Sequence, residues 1–322
     1  MINHDNFMRD FLYGSSETHR HDQRDEIRTS IMMDERTEGW IGIPHGGIGM
    51  GIMTDLAMAL NNFPHDDKRR FPVSADFRLG GASLKIGDLL RFEVTATVGG
   101  AKGEATVDDD SLPYLSASID YEKDDQGQRN LFASFLPAHA DDVMGSLSLL
   151  PSYRKCFVCG FKRHHPGLRR QFYRWENRQN IVVAHAGFNR EDAETFYRFQ
   201  RQDQLHPLPF LALLDETLGW GGFLISASGA VTVRIAYTFY RPVSMKEKLI
   251  FFGRGERVRG KGGSRLMFWA SGGAAAVKDD GRLEMVVSAS GQWFGVPDLT
   301  EQMKTSLLPK ELRDRAFAFA NG

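Results

Sequence analysis

The sequence predicts an α+β protein made of one unit repeated in tandem, each unit an antiparallel sheet wrapped around a central apolar helix. Three observations predict it. First, His45-Gly46-Gly47 is followed by a run to Leu60 in which Ile48, Met50, Ile52, Met53, Leu56, Met58, Ala59 and Leu60 leave almost no polar face. A helix apolar all round belongs inside a protein. Second, His206-Pro207-Leu208-Pro209 leads into a similar run, Phe210 to Trp220. Counted from each histidine, Asp55 matches Glu216 and Thr54 matches Asp215, as in an internal repeat. Third, the strand-like segments after each run recur at an offset of about 160 residues.

Composition bounds the rest. A chain of 322 residues is long enough for two domains, and 42% hydrophobic with 25% charged residues is an ordinary soluble balance. The net charge of -1 gives no general reason to expect nucleic acid or an anionic membrane as partner. No run reads as transmembrane, and the Asp-, Arg- and His-rich start is unlike a secretory leader, so a cytoplasmic location is expected. Cys156 and Cys159 are the only cysteines, which excludes a disulfide framework.

In order, residues 1–26 read as a polar N-terminal arm carrying His19 and His21, and 27–125 as the first unit. Within it, Arg28 to Met33 reads as a strand, then the first central helix, then a polar loop from Phe63 to Arg70. Strands follow at Val73–Leu79, Leu89–Val98, Glu104–Val107 and Tyr114–Tyr121, by alternation. Residues 126–152 have no clear period and read as a linker. The second unit, 153–297, has expected strands at Gly167–Tyr173 and Asn180–Ala184, and a polar stretch from Asn189 to Gln204 that can hold a short helix. After the second central helix come strands at Val231–Phe239, Lys248–Arg257, Ser264–Trp269 and Met285–Trp293. Residues 298–322 are a charged tail, with a terminal helix over Leu307 to Phe317. Duplication lets each sheet pair with its copy, so that edges are not left open.

The His-Gly-Gly turn and the acid-bearing apolar helix resemble the hotdog-fold acyl-CoA thioesterases, particularly the phenylacetyl-CoA-type branch. Cys156-Phe157-Val158-Cys159-Gly160, Pro166-Gly167-Leu168 and Leu213-Leu214-Asp215-Glu216 resemble a related group of uncharacterised hotdog proteins. The resemblance covers most of residues 30–297. It implies a tandem (double) hotdog in which a backbone N–H at the helix start polarises a thioester carbonyl. A carboxylate from the opposing unit then attacks, or activates water. Such an oxyanion needs fixed donors, and a helix N-terminus supplies them together with positive potential.

Carried over by residue, the match is asymmetric. His45, Gly46 and Gly47 keep the donor turn, but Thr54 stands where the family has aspartate, and Asp55 is about 100° further round the helix. Asp215 stands at the family position in the second unit, but Pro207 there has no N–H to offer. A composite site is therefore expected, with Gly46 or Gly47 of one half facing Asp215 of the other. The catalytic candidates are Asp215, Gly46, Gly47, His45 and Glu216. His45 also reads as a turn-stabilising or substrate-orienting residue, and Asp215 as a buried hydrogen-bond anchor. Thr54, Asp55 and His206 are the substrate-binding candidates at the degenerate second interface.

The expected function is hydrolysis of an acyl-CoA or related thioester, with coenzyme A as part of the substrate and no tightly held cofactor. A homo-oligomer of double-hotdog chains is an expected assembly. The alternatives are a non-catalytic acyl-CoA-binding or structural protein, and an enoyl- or hydroxyacyl-thioester hydratase or dehydratase using His45 with Asp215. Cys156 and Cys159 with His164 and His165 have a zinc-like layout, but the favoured reading is a structural turn with no metal. The turn Gly260 to Gly263, with Lys261, reads as solvated and carries no phosphate-binding fingerprint.

Overall fold

The computed structural model of the chain describes residues 4–14, 21–23, 25–60, 70–107, 112–178, 180–189, 195–201, 203–260 and 265–320. Helix α1 (His4–Tyr13) comes first, then strands β1 (His21–Gln23) and β2 (Glu26–Met32). The polar arm expected over 1–26 is corrected here. Met8, Phe11 and Leu12, spaced to share one helix face, are buried, and Phe11 packs on Phe157 and Phe199. His19 lies outside the described residues.

A short ribbon, β3 (Glu38–Trp40) with β4 (Ile43–Pro44), feeds α2 (Gly46–Leu60). Strands β5 (Val73–Leu79), β6 (Leu89–Thr97), β7 (Gly100–Val107) and β8 (Leu115–Tyr121) follow as the alternation predicts, with β7 starting earlier than expected. Then come α3 (Gln126–Ala133), α4 (Asp141–Met144), β9 (Leu147–Leu149), β10 (Tyr173–Trp175) and β11 (Ile181–Ala186). A second ribbon, β12 (Gln200–Arg201) with β13 (Gln204–Leu205), feeds α5 (Pro207–Ser226). The repeat closes with β14 (Ala230–Phe239), β15 (Lys248–Arg259), β16 (Met267–Val277) and β17 (Leu283–Gly295). Helix α6 (Pro297–Gln302), a π turn at Met303–Leu307 and α7 (Lys310–Ala320) end it.

Thirteen strands form one antiparallel sheet in the order β1-β2-β6-β7-β8-β5-β14-β17-β16-β15-β11-β10-β9. Away from the β5–β14 seam, each half reads the same: β5, β8, β7, β6, β2 on one side and β14, β17, β16, β15, β11 on the other. Ala75 lies opposite Tyr237 at that seam, where each half covers an edge of the other. Inside the wrap, α2 and α5 run antiparallel in contact. A methyl group on Gly47 would fall 2.4 Å from Ala212 Cα, and one on Gly51 would fall 2.1 Å from Leu208 Cδ1. Those glycines let the two helix backbones approach.

Further expectations change. Residues 126–152 are a cover, not a free linker: Phe132, Phe135 and Val143 pack with Trp175, Ile250 and Phe252 in a second core. No strand spans Gly167–Tyr173. The buried Arg170 guanidinium holds the irregular path there, donating to Leu168 O, His185 O and Thr195 Oγ1. The C-terminal tail is helical and packed, with Leu299, Met303, Leu307 and Ala316 buried and Phe317 edge-on to Phe223. Helix α5 is long and apolar enough to cross a membrane, contrary to expectation, yet 83% of that stretch is buried as the core helix of its half. Residues 61–69, where most of the polar loop was expected, parts of 189–204 and Lys261 lie outside the described residues.

Candidate active site

Both central helices begin with the same device. His45 Nδ1 accepts the Gly47 N–H at 3.0 Å, and His206 Nδ1 accepts the Leu208 N–H at 3.1 Å. Each histidine thus caps the helix it precedes, the task usually given to Ser, Thr, Asp or Asn. Its other nitrogen, Nε2, reaches an acid on the opposite helix: Glu216 Oε2 at 3.6 Å from His45, Asp55 Oδ1 at 3.1 Å from His206. The repeated histidine and acid are one interaction made twice across the seam.

At the first site, Asp215 comes to the N-terminus of α2. A methyl group placed on Gly46 would lie 3.5 Å from Asp215 Oδ2, and His45 Nδ1 is 4.0 Å from the same oxygen. Thr232, on β14, donates to Asp215 Oδ1 at 2.6 Å. Burial pushes the Asp215 carboxyl above its ordinary range; the His45 charge and the Thr232 hydrogen bond pull it back, and Glu216 pushes it up again. Burial, then Asp215, also raise the Tyr114 phenol. With the Gly47 N–H engaged by His45 Nδ1 and the Ile48 N–H by His45 O, Gly46 is the helix-start residue beside the Asp215 carboxyl. A cavity of about 80 Å³ opens beside this group, walled by Trp40, Trp220, Phe223, Phe268, Trp293 and Met303.

The second site is sealed. Asp55 takes Tyr13 Oη, His206 Nε2, and both Arg201 nitrogens, Nη1 at 2.9 Å and Nη2 at 3.2 Å. Burial alone would raise the Asp55 carboxyl, but the His206 hydrogen bond and charge, then Arg201 and Tyr13, hold it well below the ordinary carboxylate range. Burial likewise pushes the His206 imidazole down against the pull of Asp55. Thr54 bonds its own helix at Met50 O, 2.8 Å away. Asp55 and His206, expected to bind substrate, are engaged with Tyr13 and Arg201 in an internal salt-bridge cluster. Thr54 borders a small apolar cavity of about 40 Å³.

No protein-family model matches the sequence, and no curated protein matches it. Solved structures do. A candidate thioesterase from Novosphingobium aromaticivorans superposes with a TM-score of 0.53 at 12% identity, covering 87% of this chain and 99% of the other. A candidate thioesterase II from Thermobifida fusca gives 0.53 at 14% identity, over 89% and 98%. The tesB protein of Mycobacterium avium subsp. paratuberculosis gives 0.51 at 12%, over 91% and 99%. The chain is a double hotdog.

Several neighbours in this double hotdog were not found from sequence. Thr232 is an ordinary strand residue by pattern, and nothing local links Tyr13 or Arg201 to Asp55. Cys156 donates to Glu216 Oε2 at 3.1 Å, a contact spanning two elements. His165 is instead half-exposed beside Glu35, and among the described residues the group able to hold a metal is His45, Cys156 and Glu216. The zinc-like layout of Cys156 and Cys159 with His164 and His165 does not form.

Proposed function

We propose that this double hotdog hydrolyses an acyl thioester, of which acyl-CoA is the expected form, at the seam between α2 and α5. The observation that carries the reading is the meeting of the Gly46 helix start with Asp215 at an aromatic-walled cavity. A thioester carbonyl there puts its oxygen at the Gly46 N–H, where the helix terminus stabilises the developing negative charge. Asp215, held by Thr232, serves as general base toward water or as nucleophile forming a transient anhydride. His45 keeps the turn in shape and flanks the carbonyl. Both parts of the site come from one chain, so an oligomer is not needed to complete it.

The test is thiol release from a panel of acyl-CoA thioesters. Asp215→Asn lowers kcat by about 10²- to 10⁴-fold, the range of a positioned acid–base group, with binding retained. Tight thioester binding with no thiol release from the unmodified chain sinks the hydrolase reading in favour of an acyl-CoA binder. The 4.0 Å His45–Asp215 pair suits a second reading, hydration of an enoyl thioester, which loss of enoyl absorbance without thiol release would reveal.

A further inference from the structure

Beside the carbonyl pocket, three donors from three segments meet. His45 Nε2 and Cys156 Sγ lie 3.6 Å and 3.1 Å from Glu216 Oε2, and the three ligand atoms fall within 4.8 Å of one another. We propose that His45, Cys156 and Glu216 bind a borderline-soft divalent cation of the zinc class across the seam. Imidazole, thiolate and carboxylate are the donor types such an ion takes, and three protein ligands leave a fourth position open.

Two independent features point to a cation. The first is the shape of the cysteine turn. The Val158 N–H donates to Cys156 Sγ at 3.3 Å, a contact that holds the sulfur in place beside Glu216. Gly160 closes the turn through its N–H to Cys156 O at 2.9 Å, and a methyl group on Gly160 would strike that oxygen at 2.4 Å.

The second is the comparison between the two halves. At the other site His206 and Tyr13 both meet Asp55, as His45 and Cys156 both meet Glu216, and there the Arg201 guanidinium supplies a fixed positive charge. Arg201 stands five residues before His206, as Trp40 stands before His45. The first site therefore carries Asp215 as well as Glu216, with His45 as the ion-pair partner that the described residues offer them. A cation supplies the charge that Arg201 supplies opposite.

Binding releases the Cys156 thiol proton to solvent. Coordination through Nε2 moves the His45 ring proton to Nδ1; Asp215 Oδ2, 4.0 Å away, is the carboxylate that has to close in to accept it. The Gly47 N–H is then freed from Nδ1. This inference does not depend on hydrolysis, because metal content is read whether or not the chain turns over a thioester.

The test is metal analysis of the full chain without an affinity tag, purified without chelator and dialysed against zinc, then cobalt. About one metal per chain is expected, with a thiolate-to-cobalt charge-transfer band. Cys156→Ser abolishes that band, Glu216→Gln weakens binding at least about tenfold, and His164→Ala with His165→Ala changes neither. Should Cys156→Ser fail to fold, X-ray absorption of the zinc-loaded unmodified chain is expected to show sulfur together with nitrogen or oxygen neighbours. Metal below about a tenth per chain, a sulfur-free ligand shell, or loss of metal in the His164/His165 variant overturns the proposal.

Discussion

Asp215 and Glu216 are neighbours in sequence, but they leave α5 about 100° apart and meet different partners. Asp215 faces Gly46 and Thr232, while Glu216 faces His45 and Cys156. A hydrogen bond to a charged group contributes about 1.5–3 kcal/mol, so Thr232→Val is expected to lower kcat/KM about 10- to 100-fold if Asp215 acts as proposed. Steady-state kinetics with the best thioester checks it, and an unchanged rate removes Thr232 from the site. Asp55 behaves oppositely. Asp55→Ala strands His206 and Arg201 in the interior and costs about 3–5 kcal/mol of stability, read by denaturant unfolding. Hydrolysis by the folded fraction stays within a few-fold of the unmodified chain.

At the level of elements, the crossing of α2 and α5 sets the width of the seam. The obstacle to a side chain at Gly47 is the backbone of Ala212, whereas at Gly51 it is chiefly the end of the Leu208 side chain. Gly47→Ala must push the helices apart and is expected to lower Tm more than Gly51→Ala, where Leu208 can turn aside. The reverse ranking would show that the crossing is not held by Gly47. The C-terminal segment contributes Met303 to the lining of the cavity. At about 80 Å³ the space is far below the roughly 300–1,000 Å³ that takes drug-sized ligands. Met303→Ala is expected to move the chain-length optimum of thiol release toward longer acyl groups; an unshifted optimum places the acyl group elsewhere.

For the whole molecule, the sealed interface makes stability depend on pH. Both Asp55 and His206 have folded-state values below their ordinary ones. In acid the unfolded chain therefore binds more protons than the folded one, and stability falls as pH falls. The His206 contribution is complete above 6.5 and declines below it; the Asp55 contribution declines below 3.8. Thermal unfolding from pH 8 to pH 4 is expected to show Tm dropping on the acid side, with a larger drop in Asp55→Asn, where His206 loses the charge that pulls its value back up. An identical slope in both proteins would assign the acid sensitivity to other groups.

The sequence by itself determined the repeat, the two core helices and most strands, because burial on one face writes a period of two and burial on all faces writes an unbroken apolar run. The pairing of Gly46 with Asp215 came from the resemblance to hotdog thioesterases, and the structure brings the two residues side by side. Strand β16 was expected to end at Trp269; its continuation to Val277 escaped because Gly272 and Gly273 break the alternation for clearance: a methyl group on Gly272 would meet Phe252 O and one on Gly273 the Phe132 ring. Only the tertiary structure decided that α1 and the C-terminal helices are packed, that Arg201 and Tyr13 close one interface, and that Cys156 meets Glu216 at the other. Those contacts join residues far apart in the chain and depend on charge neutralisation in a buried space, a quantity that no local pattern of residues records.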